Sequence, residues 1–237
     1  MSTFVLVHGA WGGAHGFRHV RKLLRDAGHE VSTPCLTGIG ERVHLASPLV
    51  GLGTHIHDVV HHILYEDLER ITLVGFSYGG CVVTGALEHI ADRVEHLVFL
   101  DAFVPRDGES VAGILRGEGR QPIRLEQAWM LPGPVRAYDD PEEARWMGAR
   151  RTPQPAACFS EPVHLGQALE SFAFTRSYIK ATRSSPEDVG EAAFRRAAQH
   201  ARQSPDWRYF EVESNHMVAS NRPRETASLL ARIAQGA

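Results

Sequence analysis

Ser77 lies in Gly75-Phe76-Ser77-Tyr78-Gly79, a G-x-S-x-G run preceded by the apolar stretch Ile71-Thr72-Leu73-Val74 and followed by Gly80 and a helical pattern. At such a strand–turn–helix elbow a serine hydroxyl can act as a nucleophile, provided a base takes its proton. The turn strains the serine backbone and demands small neighbours, which Gly75, Gly79 and Gly80 supply. The base expected for this arrangement is a histidine in the loop after the last strand. Residues 207–213 read as that strand, and Ser214-Asn215-His216-Met217 follows directly, so His216 is the expected general base. Attack on a carbonyl also requires donors for the developing oxyanion. The backbone N–H of Tyr78 is one. The Gly-rich loop His8-Gly9-Ala10-Trp11-Gly12-Gly13 supplies the other, with Ala10 the expected donor. The glycine spacing of that loop does not fit a dinucleotide-binding turn.

An acid must hold the imidazole in the right tautomer and stabilise its cation. Asp101 ends the apolar strand 94–100, where burial is costly unless the carboxylate is paired, and His216 is the natural partner. Glu187 and Asp188 are alternatives. Ser185-Pro186-Glu187-Asp188 also reads as a helix start, with a serine cap, proline in the first turn and acids beside it. Asp107 is a further candidate, in the turn-like Pro105-Arg106-Asp107-Gly108. Asp101 is the favoured choice.

These groups need a scaffold, and the pattern around them describes one. Apolar strand-like runs fall at 4–7, 30–33, 71–75, 94–100, 175–182 and 207–213. Helical patterns fall between them, at 16–27 with Gly28 as the stop, in a His-rich segment before residue 71, and at 78–90. Pro223 opens a closing helix with Ala227, Leu230 and Ile233 on one face. Alternation of this kind predicts an α/β fold, a doubly wound, mostly parallel sheet. Residues 1–237 then form a single domain with a helical cap inserted at 103–169. That stretch mixes prolines and glycines with a helical piece at 142–150 and with Trp129, Met130, Tyr138, Trp146, Met147 and Phe159. A cap over the sheet's carboxyl edge would line an apolar pocket, for which Trp11, Phe103, Trp129 and Trp146 are the candidates.

Phe4-Val5-Leu6-Val7-His8-Gly9-Ala10, the elbow, and Leu97-Val98-Phe99-Leu100-Asp101-Ala102-Phe103-Val104-Pro105 resemble the α/β-hydrolases. Within them the chain is most similar to the plant methylesterase and hydroxynitrile lyase branch and its bacterial esterase relatives. The resemblance spans nearly the whole chain and is weakest over about 108–169. It implies ester hydrolysis without metal or organic cofactor. In the plant branch the acid follows the penultimate strand, a place that falls near Ser184, where this chain has no carboxylate. Other α/β-hydrolases, such as haloalkane dehalogenases, carry the acid after the earlier strand, where Asp101 stands. The lyases have a threonine where this chain has Gly9 and a lysine where it has Met217, which argues against cyanohydrin cleavage. The function expected is a serine hydrolase cleaving a small to medium, uncharged carboxylic ester through an acyl-enzyme. Thioester, lactone, amide or C–C hydrolysis, a lyase reaction, or a non-catalytic small-molecule binding protein, are the alternatives.

Composition narrows the rest. The formal net charge of −3 leaves no electrostatic footprint for nucleic acid, and Arg150-Arg151 and Arg195-Arg196 read as solvated faces. Cys35, Cys81 and Cys158 are too scattered for a disulfide framework or a cysteine-rich metal site. His55, His57, His61 and His62 lie on an amphipathic helical segment with Ile56, Val59, Val60, Ile63 and Leu64. They are expected mostly on its wet side rather than around a metal. Met1-Ser2-Thr3 runs straight into a strand, and no apolar run reaches membrane-span length, so the cytoplasm is the expected location. The expected partner is a small-molecule ester, with no nucleic acid and no membrane, and with a homodimer left open.

Overall fold

The computed structural model describes residues 1–117, 128–185 and 188–236. Six strands form one parallel sheet: β1 Thr3–Val7, β2 Glu30–Ser32, β3 Ile71–Phe76, β4 Val94–Leu100, β7 Thr175–Ala181 and β8 Trp207–Val212, in the order β2-β1-β3-β4-β7-β8. A two-stranded antiparallel ladder, β5 Met130–Leu131 with β6 Gln154–Pro155, lies between β4 and β7 in sequence.

The strands are apolar on both faces because helices cover both faces. Phe4, Leu6, Val74, Val98 and Ile179 pack with Val20 and Leu24 of α1 (Arg18–Asp26), Val218 of α8 (Val218–Asn221) and Leu230 of α9 (Pro223–Ile233). The alternate residues Val5, Val7, Leu73, Leu97 and Phe99 pack with Val59 and Ile63 of α2 (Leu52–Tyr65), Val82 and Ala86 of α3 (Gly79–Ile90), and Phe194 of α7 (Glu191–Gln203). Among the described residues between β4 and β7 are three shorter helices, α4 Val111–Gly117, α5 Pro141–Gly148 and α6 Ala157–Ser160. No helix among the described residues is long and apolar enough to cross a membrane.

Two features of this sheet decide where chemistry can occur. The strand order reverses at β1, which lies between β2 and β3, and in open parallel sheets the crevice at such a reversal, beyond the carboxyl ends, is where ligands bind. The loop from His8 and the turn at Ser77 leave the sheet at that crevice. In addition, the ladder aligns Phe76 with Leu100 and Leu100 with Ile179. The residues one step further on, Ser77, Asp101 and Lys180, therefore emerge side by side.

Candidate active site

Ser77 has φ +56°, the strained left-handed geometry expected of the elbow. Its amide donates to the Leu100 carbonyl at 3.3 Å, and its carbonyl accepts from the Gly80 and Phe103 amides at 3.1 Å each. The packing explains the neighbouring glycines. A Cβ on Gly75 would lie 2.8 Å from the Gly79 carbonyl oxygen, and one on Gly80 would collide with the Phe103 carbonyl. The Tyr78 ring is buried, and its hydroxyl lies 2.9 Å from His55 Nδ1. His55 Nε2 lies 2.8 Å from the Thr37 carbonyl, which can only accept. Nε2 therefore carries the proton, and Nδ1 accepts from Tyr78. Burial lowers the His55 pKa to about 4, so the ring stays neutral. His55 is thus a core residue bracing the elbow, which corrects its expected place on the wet face of α2; His57 and His61 are exposed. Among the described residues, no group of three or more His, Cys, Asp or Glu side chains could hold a metal ion.

Three chain-distant side chains meet in one buried row. Ser77 Oγ lies 2.9 Å from His216 Nε2, and His216 Nδ1 lies 2.7 Å from Asp101 Oδ2. Phe76 and Phe194 stack on the imidazole, with centroids at 4.8 and 5.1 Å. Burial lowers the pKa of His216, outweighing the opposing pull of Asp101. The resting imidazole is therefore neutral: Nδ1–H donates to Asp101 and Nε2 is left to accept from Ser77. Burial alone would raise the pKa of Asp101, but hydrogen bonds from His216 and Lys180 hold the carboxyl below its ordinary value. Such a row can take the proton from a serine hydroxyl.

Lys180 is a member that the sequence did not single out. Its Nζ lies 2.7 Å from Asp101 Oδ1, 3.0 Å from Glu191 Oε2 and 2.7 Å from the Ala181 carbonyl. The Ala181 amide also donates to Asp101 Oδ1, at 3.2 Å. Asp101 itself has φ +42°, a second strained corner. Removing one partner from a buried ion pair typically costs about 3–5 kcal/mol. Lys180→Met is accordingly expected to lower the denaturant midpoint of unfolding sharply. It should also move the acid limb of the kcat/KM profile to higher pH. An imidazole can act as a base only when neutral, the pKa of His216 lies below the ordinary value of about 6.5, and Lys180 is one of the charges holding it down. An unchanged midpoint together with an unchanged limb would refute this role.

The other candidate acids stand elsewhere or cannot be placed. Asp107 accepts from the Leu165 amide at 3.0 Å. Asp188 accepts from the Ser185 amide at 3.0 Å, while its carbonyl accepts from the Glu191 amide at 3.1 Å. The helix expected to start at residue 185 instead starts at Glu191, behind Gly190 with φ +87°, because the chain first closes a turn. Glu187 lies outside the described residues.

The Gly-rich loop is fixed from outside the sheet. The Trp11 amide donates to Gln154 Oε1 at 2.9 Å, its indole N–H donates to the Leu131 carbonyl at 2.9 Å, and its backbone is strained at φ +58°. Gln154 is wholly buried, so this anchor from β6 is a second feature that sequence reasoning missed. Glu41 accepts from the Ala14 and His15 amides at 3.2 and 2.8 Å. Although burial opposes it, hydrogen bonding, above all from the His15 side chain, lowers the Glu41 pKa to about 2. His8 Nε2 accepts from the Leu36 amide at 3.2 Å, and burial lowers its pKa to about 4, so it too is a neutral structural ring.

Ser77, Ala10 and Tyr78 border one apolar cavity of about 590 Å³, whose walls include Trp11, Phe103 and Phe159. A second cavity, of about 40 Å³, also borders Ser77 and reaches His216. Two pocket expectations need correction. Trp146 borders neither cavity; its ring is taken by the guanidiniums of Arg18 and Arg150, 3.7 and 3.9 Å from the centroid. Trp129 is 46% exposed and also borders neither. Arg151, expected on a solvated face, lines the smaller cavity instead. Cys81 and Cys158 are buried, and burial raises both thiol pKa values, that of Cys158 to about 12, so neither is a competing nucleophile.

The family model described as "Alpha/beta hydrolase family" matches residues 4–229. A "Carbendazim hydrolyzing esterase" from Nocardioides sp. (strain SG-4G) is 36% identical, over 98% of this chain and all of that protein. "Methylesterase 1" from Arabidopsis thaliana is 30% identical over 54% of this chain and 48% of its own length. The solved structure of an extracellular alpha/beta-hydrolase from a Paenibacillus species superposes with a TM-score of 0.82, at 26% identity and over 98% of each chain. The two curated relatives are named as esterases, and they support ester hydrolysis in general. With a parallel six-stranded sheet and a family match over nearly its full length, this chain belongs to the alpha/beta hydrolase family.

Proposed function

We propose that the chain is a serine carboxylic ester hydrolase. Ser77 Oγ attacks the ester carbonyl as its proton passes to His216 Nε2, while Asp101 stabilises the imidazolium through Nδ1. The Ala10 and Tyr78 amides hold the oxyanion. The carbonyl–alkoxy bond then breaks, His216 protonates the departing alcohol, and an acyl group remains on Ser77. Water, deprotonated by the same imidazole, releases the acid and restores the serine. Residues 103–169 act as a cap that shields the acyl-enzyme, with Trp11 and Phe103 among the walls that receive the apolar part of a small to medium ester.

The reading rests on one observation, the Ser77–His216–Asp101 row, whose Ser77 end borders a 590 Å³ apolar cavity. A fluorophosphonate probe tests it. Wild-type protein should be labelled stoichiometrically and Ser77→Ala not at all. A panel of methyl and aryl esters, thioesters, lactones and carbendazim should then identify a substrate whose turnover the probe abolishes. Absence of labelling on correctly folded protein would favour a non-catalytic binding protein.

A further inference from the structure

The smaller cavity carries chemistry that an uncharged ester does not use. Its lining includes Ser77, His216, Arg136 and Arg151, and Arg136 also borders the apolar cavity. The Arg136 side chain is 8% exposed, and the described carboxylate in ion-pair range is Asp188, at 3.9 Å, too long for a hydrogen bond. Nη2 of Arg151 and the hydroxyl of Tyr138 are buried beside one another, close enough to interact but without a well-formed hydrogen bond. Donors left in this state carry a desolvation cost that an acceptor would relieve.

The arrangement is built rather than accidental. The strand of chain bearing Arg136 is tied to the loop bearing His216, because Asn215 donates from its side chain to the Ala137 carbonyl at 3.1 Å. The Asp139 amide donates to Asn221 Oδ1 at 3.0 Å. Arg151 is held by its neighbour: the Thr152 amide donates to the Trp11 carbonyl at 3.1 Å, and the Thr152 hydroxyl accepts from the Gly40 amide at 2.9 Å. These ties fix the backbone from which both arginine side chains extend. Burial lowers the pKa of both, and for Arg136 the neighbouring Arg151 adds to the effect. Asp188 and Asp101 offset part of this for Arg136, and an anion in the cavity would offset more.

We infer that Arg136 and Arg151 form a carboxylate-binding subsite, and that the preferred substrates are monoesters of dicarboxylic acids with an apolar alcohol portion. This rests on the esterase reading above and names its substrate class. A planar carboxylate matches the donor fork of a guanidinium. A neutral carbonyl would leave the repulsion between the two cations unrelieved. Because the cavity is small and contains Ser77, the anion sits only a few bonds from the scissile carbonyl, as it does in a succinyl ester.

Monobenzyl succinate and its neutral isostere benzyl succinamate test the inference, since both release benzyl alcohol. The readout is the ratio of their kcat/KM values. Wild type should favour the anionic ester, and Arg136→Met and Arg151→Met should each lower the ratio about 10- to 100-fold, the range for losing a charge-assisted hydrogen bond. Arg136→Lys should fall between. A wild-type preference for the neutral ester, or a ratio untouched by both methionine variants, overturns the subsite. Fluorophosphonate labelling reports whether each variant retains a formed site. If neither does, calorimetry with succinate on Ser77→Ala protein decides without turnover: binding that weakens as salt rises supports the subsite, and no binding overturns it. Failure of the esterase reading has a different signature, no probe labelling and no ester turned over, whatever succinate does.

Discussion

Replacing Ser77 by alanine is expected to cost about 10⁶ in kcat, and His216→Ala about the same. The double variant should be scarcely worse than either single one. The reason is geometric. Ser77 Oγ and His216 Nε2 share one hydrogen bond of 2.9 Å, and the hydroxyl is useful only with a base to take its proton. Once either is gone, the other has nothing left to contribute. What survives is the effect of substrate binding and the oxyanion donors, about 10³–10⁴ over water. Single-turnover rates on the best panel substrate measure this. Losses that multiply across the two variants would show that the groups do not act as a unit. Ser77→Ala is the cleaner substitution, because it deletes one oxygen, whereas His216→Ala also removes a ring against which Phe76 and Phe194 pack.

Asp101→Asn is expected to reduce kcat by about 10⁴ in a protein that remains folded. The surroundings of Asp101 dictate how the new amide must sit. Lys180 Nζ and the Ala181 amide both donate to Oδ1, so the single carbonyl oxygen of asparagine is drawn to them. The amide NH₂ then faces His216 Nδ1, which must become an acceptor. That moves the ring proton to Nε2, the nitrogen needed to accept from Ser77. The loss is thus one of tautomer rather than of position. Lys180 keeps its contact with Glu191, so circular dichroism should be unchanged. Probe labelling of Ser77 should slow in parallel with turnover. Near-normal turnover would remove Asp101 from the mechanism and return attention to Asp107, Glu187 and Asp188.

Much of the frame can be read from local pattern. Strand, strained turn and helix at Ser77 are encoded within a dozen residues, because φ strain, side-chain size and periodicity all act over that range. The alternation of strands and helices around it carries the parallel sheet for the same reason. His216 could be named because the loop after the last strand has a fixed place at the carboxyl edge.

Other residues took their meaning only from the tertiary structure. The sequence left four carboxylates open for the acid, and it takes the register of β3, β4 and β7 to set Ser77, Asp101 and Lys180 side by side. His55 looked like a wet-face residue until the fold placed it against Tyr78, and Arg151 looked solvated until it closed on a cavity beside Ser77. Trp146 looked like a pocket wall, yet two arginines occupy its faces. Apart from Arg150, four residues from Trp146, those outcomes depend on partners about 20 or more residues away, beyond any window of pattern or propensity. The sequence by itself determined which backbone elements form and where Ser77 turns out of the sheet. The folded chain decided which charges lose water and which partners they then meet, because desolvation and pairing are properties of what packs nearby in space.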